Sequence, residues 1–189
     1  MTRTAAYLFA KLWGAAAALA AFLCLRPWRR RRLRAAGQIS PPGRELALAL
    51  FWMYCGGMAV LTLLPRWVVW TFQDCLHGYG WNAAGYPFFA LGAVNLVPFA
   101  TFGDPYILLG NLVMFLPFGF FPALLFRNFG WRRALAAGFC VTAFIETSQL
   151  FVGRAFDIDD LMLNTLGAFC GFLLQRALGR GLCCAPAGK

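Results

Sequence analysis

Five long apolar runs limit what this chain can fold into: Ala5–Leu25, Leu46–Leu64, Tyr106–Phe126, Ala134–Val152 and Leu161–Leu178. Each is about 18 residues or longer, enough as a helix to cross a hydrocarbon core of roughly 30 Å. A soluble helical protein would lay a polar face along helices of this length, and these runs have almost none. Charged residues make up 13% of the chain, against about a quarter in an average soluble domain. The fold class that follows is an all-α integral membrane protein, a small bundle of about five transmembrane helices. At 189 residues the chain has no room for a separate soluble catalytic domain.

The net charge of +10 and the run Arg29-Arg30-Arg31-Arg32 suggest nucleic acid until their position is considered. The run follows an apolar helix directly, where juxtamembrane basic residues belong, and such residues collect in cytoplasmic loops. Placing residues 26–45, residues 127–133 and the C-terminus in the cytoplasm puts seven, three and three basic residues there, 13 of the 17. Arg3, Lys11, Arg66 and Arg154 remain outside. The expected topology therefore has the N-terminus outside, the C-terminus cytoplasmic and five spans, with no nucleic-acid partner. Contact with anionic lipid is a by-product of this anchoring. The first run sits where a signal peptide would, but the six arginines between Arg26 and Arg34 outweigh Arg3 and Lys11, the wrong way round for export. It reads as an anchor. Three units follow: residues 1–45 as a transmembrane anchor with an Arg-rich cytoplasmic loop, residues 46–178 as a four-helix membrane domain, and residues 179–189 as a cytoplasmic tail.

The seven cysteines show no Cys-x-x-Cys spacing and His77 is the lone histidine, too little for a zinc site. No metal or cofactor is implied. Between Pro65 and Pro105 lies a long outer segment with Trp67, Trp70, Trp81 and Tyr86, residue types that favour the membrane–water boundary. Its later part, from Tyr86-Pro87-Phe88 through Asn95-Leu96-Val97-Pro98-Phe99, is too apolar for a free loop and holds two prolines. It reads as an interfacial or re-entrant cap over the bundle, which must be covered by protein or wetted by a cavity.

Acid is scarce and unevenly placed. The seven carboxylates are Glu45, Asp74, Asp104, Glu146, Asp157, Asp159 and Asp160, so three fall within four positions, close to Arg154. In the fourth run, Thr142, Glu146, Gln149 and Gly153 step by 4, 3 and 4. In the fifth, Asp157, Asp160, Asn164, Gly167 and Gly171 step by 3, 4, 3 and 4. Each set forms one stripe along a helix. Two antiparallel helices joined by a short turn can face these stripes together in one cavity, with Asn111 or Asn95 closing it and Asp159, off the stripe, more peripheral. The glycines let helix backbones approach beneath it. Arg154 is placed to hold a carboxylate bidentately. An N-terminal cap accounts for Asp157 and for Asp160 near the positive helix end, but not for Glu146, Gln149 or Asn164. Glu146 lies roughly 9 Å from the outer end of its helix, where a carboxylate costs about 2.5–3.5 kcal/mol on insertion scales. Such a residue is a functional-site candidate.

The blocks Asn95-Leu96-Val97-Pro98-Phe99 and Gly110-Asn111-Leu112-Val113-Met114-Phe115-Leu116-Pro117-Phe118-Gly119, followed by Glu146-Thr147-Ser148-Gln149-Leu150 and Arg154-Ala155-Phe156-Asp157-Ile158-Asp159-Asp160 with Asn164, Thr165 and Gly167, resemble the VanZ family in order and spacing. The resemblance covers roughly residues 46–178. It implies a multi-pass protein of the bacterial plasma membrane linked to resistance against glycopeptide antibiotics, chiefly teicoplanin and related lipoglycopeptides, or a native envelope role. Three classes of function fit the acidic site. The first is a binding module at the outer leaflet, in which Asn95, Asn111, Glu146, Gln149, Arg154, Asp157, Asp159, Asp160 and Asn164 hold an envelope lipid headgroup, a cell-wall lipid precursor or the antibiotic itself. The second is a small intramembrane enzyme acting on an envelope lipid, with Glu146 or Asp160 as acid or base. The third is a cation- or proton-coupled transporter, in which Asp157, Asp159 and Asp160 supply oxygen ligands.

The topology has a direct check. Single cysteines near Asp159 and between Pro65 and Pro105, in a cysteine-free background, are expected to react with an impermeant thiol reagent on intact cells, and cysteines near Arg29 and Arg132 are not. Labelling near Arg132 but not near Asp159 would reverse the assignment.

Overall fold

The long apolar runs wind into helices. The computed structural model describes residues 3–81, 85, 87, 91–100, 103–179, 182 and 185–186. It contains α1 (Arg3–Ala35), α2 (Pro42–Leu63), α3 (Arg66–Leu76), α4 (Pro105–Leu125), α5 (Trp131–Leu150) and α6 (Ile158–Leu178). Short strands are β1 (Gln38–Ile39), β2 (Val94–Asn95), β3 (Phe156–Asp157) and β4 (Ala185–Pro186). Tyr86, Phe88, Arg180, Cys183, Cys184 and Lys189 lie outside the described residues, as do the side chains of Arg3 and Arg66. The all-α class stands, and α2, α4 and α6 are each long and apolar enough to cross a membrane.

The helix boundaries follow local chemistry. Prolines open α2 and α4 at the first turn, where a missing N–H removes no internal bond. Asp104 caps α4 by accepting from the backbone N–H groups of Tyr106 and Ile107 at 2.9 and 3.4 Å. Gly179 closes α6 at φ 63°, a left-handed conformation that suits glycine. One boundary differs from expectation. The Arg-rich stretch expected to be loop continues α1 as helix as far as Ala35. Arginine is a good helix former, and Arg26 and Arg29 are both held by Glu45 of α2.

Packing depends on close approach at small residues. In the α4–α6 pair, a Cβ added to Gly119 would strike the carbonyl of Ala168, while one at Gly167 or Gly171 would strike the carbonyls of Leu112 or Leu116. The α6 glycines therefore admit α4, with Phe115 and Ala168 sealed completely between the helices. Gly138 of α5 meets the Ala168 side chain on another side of α6. In the same way, Gly14 of α1 lies against Gly56 of α2. The chain's last described part folds back onto this pair. Leu182 packs against the cluster of Phe22, Ala47, Leu48 and Leu125, its N–H donates to the Leu124 carbonyl at 2.7 Å, and β4 pairs antiparallel with β1.

A single methyl group separates two outcomes. Gly171→Ala forces backbone apart and is expected to destabilise by about 1–3 kcal/mol, the usual range for overpacking. Gly110→Ala, on the same helix pair but with open space around it, gains helix propensity and is expected to be neutral or stabilising. Thermal unfolding of both variants in detergent checks this, and equal stability would mean that the helices are not in close contact at Gly171.

Candidate functional site

The turn between α5 and α6 is built from backbone groups left over at helix ends. Gly153 takes φ 74°, which turns the chain sharply enough for the Arg154 N–H to reach back to the Gln149 carbonyl at 3.0 Å. The segment of residues 91–100 docks on this turn. Gly92 donates to the Leu150 carbonyl and Phe156 donates to the Ala93 carbonyl, both at 2.8 Å. β2 and β3 then run parallel with Asn95 opposite Asp157. Residues 91–100 are thus held at the end of the bundle by strand pairing.

Asp157 is the hub of the carboxylate cluster. As the N-cap of α6 it accepts from the Asp159 N–H at 2.9 Å through one oxygen and from the Asn95 amide at 3.1 Å through the other. Its own N–H donates to the Glu146 carboxylate at 3.1 Å. Asp160, one helical turn on, accepts from the Asn111 side chain of α4. Glu146 is 2% exposed, and it feels the charges of Asp157, Asp160 and Arg154. Three carboxylates from two helices therefore repel one another in a poorly hydrated place, where such forces are stronger than in water. What offsets them is a ring of donors, the two asparagines and the backbone N–H groups, together with the nearby Arg154.

Arg154 also serves the end of a third helix. Its Nη1 donates to the carbonyls of Leu61 and Thr62 at 3.5 and 3.3 Å, and the buried Gln149 amide donates to the Thr62 carbonyl at 3.0 Å. Those carbonyls belong to the last turn of α2, where four acceptors have no helical partner and the dipole favours a cation. Deeper in the bundle, the buried Asn164 donates to Thr142 Oγ1 at 3.0 Å. Its own carbonyl oxygen is buried with no hydrogen-bond partner among the described residues.

The stripes meet as the spacing predicts, but Asp159 does not behave as expected. It is not peripheral: it is fully buried and accepts from the Phe99 N–H at 2.6 Å. In the first turn of α6 it faces the segment of residues 91–100, a neighbour that helix periodicity ignores. Phe99 presents that N–H from φ 66°, the left-handed region that a bulky residue rarely adopts. The Phe99 amide and the Thr62 carbonyl are the contributors that side-chain reasoning missed. Both are backbone groups, and only Thr62, in the last turn of α2 and three residues upstream of Pro65, offered a signal.

The comparisons fit this geometry. One curated relative, Protein VanZ of Enterococcus faecium, is 31% identical over 83 residues, covering 43% of this chain. The chain spans about half of that relative's length, 52%. No solved structure matches. The VanZ/LLP1 family model matches residues 51–179, which run from α2 through α6 and include every carboxylate of the cluster. On that match, over well more than half its length, this membrane protein belongs to the VanZ/LLP1 family.

Proposed function

We propose that the chain acts in resistance to glycopeptide antibiotics, as teicoplanin and its lipoglycopeptide relatives, by binding a polar or cationic group at the outer leaflet. The ligand is an envelope lipid headgroup, a cell-wall lipid precursor or the antibiotic. Family membership supports the link to resistance. The observation that carries the binding reading is the gathering of Glu146, Asp157 and Asp160 beneath a docked segment at one end of the bundle. Acid exceeds base there, so an amine or a hydroxyl-rich headgroup completes the balance. The buried, unpartnered oxygen of Asn164 adds an acceptor for a ligand hydrogen.

The site's orientation belongs to the same proposal. α2 starts beside the arginines of α1, and its last turn, at Thr62, lies beside the acidic cluster. Its 22 residues separate the two by about 30 Å at helical rise, a bilayer's hydrocarbon thickness. Basic residues at one end and acid at the other support five crossings, with the acidic end outside and the arginines in the cytoplasm. In this proposal residues 1–45 anchor the chain, 46–178 carry the function and 179–189 lie in the cytoplasm. A second reading, an intramembrane enzyme, draws on two carboxylates from different helices, Glu146 and Asp160, lying near enough to interact electrostatically, which suits an acid–base pair on an envelope lipid.

Amide substitution separates a site from a cap. Glu146→Gln and Asp160→Asn keep shape and most hydrogen bonding while removing charge. Each is expected to abolish teicoplanin protection in a sensitive host at normal membrane abundance. Asp104→Asn, an equivalent change at the exposed cap of α4, is expected to be tolerated because Asn caps as well as Asp. Full protection by both site variants would make the acid structural.

A further inference from the structure

At the other end of α2 the chain surrounds a cavity with positive charge that the acidic site does not use. The cavity holds about 270 Å³ and is lined by Arg30, Leu33, Arg34, Gln38, Ile39 and Ser40. It lies where α1 ends, Gly37 turns the chain at φ 65° and β1 leads into α2. All its lining residues precede the stretch matched by the family model.

The arginines here are not equivalent. Arg26 and Arg29 are engaged by Glu45, at 3.1 and 2.5 Å, and Arg32 stacks over the Trp28 ring at 3.9 Å. Arg30 and Arg34 line the cavity and pair with no carboxylate among the described residues. At i and i+4 they share one face of α1. Behind the cavity wall, Arg44 is only 9% exposed and donates Nη1 to Ser40 Oγ at 3.4 Å. Its Nε is buried with no acceptor among the described residues. Of these six guanidinium groups two hold the Glu45 carboxylate, and Arg44 has a buried donor left over, which is unfavourable without an acceptor.

The complement to forked, permanently charged donors is an oxyanion, and phosphate uses them best because it presents several oxygens at once. The volume lies just under the range of about 300–1,000 Å³ typical of small-molecule pockets. It therefore fits one charged group, whereas nucleic acid needs an extended basic surface. We propose that this cavity binds a single phosphate group, carried by an anionic phospholipid or by a small phosphorylated solute. Arg30 and Arg34 are its direct contacts, Gln38 adds a neutral donor, and Ser40 ties the wall to Arg44.

The test uses the full chain in detergent and reads retention of short-chain phosphatidylglycerol against short-chain phosphatidylcholine by native mass spectrometry, with inorganic phosphate as competitor. Wild-type protein is expected to retain phosphatidylglycerol preferentially or to bind inorganic phosphate. The Arg30→Gln/Arg34→Gln variant is expected to bind about tenfold more weakly or worse, the loss of a charge-assisted contact. Arg31→Gln/Arg132→Gln removes equal charge outside the cavity and is expected to leave binding unchanged. Lipid retained in excess phosphate assigns the site to a headgroup, and lipid displaced by phosphate assigns it to a soluble phosphate. Equal weakening by both double variants, or binding of neither probe, overturns the proposal.

Discussion

Carboxylates placed in an apolar bundle must find donors, and the end of this bundle is organised around that need. Ionised groups out of water are costly unless paired or hydrogen-bonded. Asp157 meets the requirement by capping α6 and accepting from Asn95. Glu146 meets it through the Asp157 N–H, Asp160 through Asn111, and Asp159 through the Phe99 N–H. These bonds reach α4, α5, α6 and the segment of residues 91–100, so satisfying the acid also fixes that segment and the turn. The α4–α6 glycine contact does complementary work, because only a close approach of these two helices brings Asn111 within reach of Asp160.

Much of this was legible in the sequence, because two periodicities carry it. Apolar length alone locates α2, α4, α5 and α6 to within a few residues. Helical spacing places Glu146, Gln149, Asp157, Asp160 and Asn164 at one junction. What periodicity could not supply is the contribution of groups with no side-chain signature. Asp159 is buried by a backbone N–H donated from Phe99, some 60 residues away, and Arg154 lies against the carbonyls that end α2. The helical course of the Arg-rich stretch was also hidden. The tendency of basic residues to collect in cytoplasmic loops argues for a loop, until Glu45 on the neighbouring helix is found holding two of the arginines.

The molecule is polarised along α2, with guanidinium groups at its start and carboxylates at its end. The same scarcity of acid that makes the chain basic overall makes its few carboxylates informative: one neutralises arginines, two stand apart at Asp74 and Asp104, and four gather at one turn. A helix cap needs one or two of those four. In the proposed function the others serve a ligand bearing positive charge or many hydroxyls.

Retention of a ligand by purified protein tests this most directly. The full chain and its Glu146→Gln/Asp160→Asn variant would be incubated with labelled cell-wall lipid precursor and, separately, with teicoplanin, and bound ligand and any new product measured by mass spectrometry. The account predicts that wild-type protein retains at least one of the two and that the double variant loses it. Unaltered ligand marks a binding module, and new product marks an enzyme. Equal retention by both proteins, or retention by neither, would contradict it.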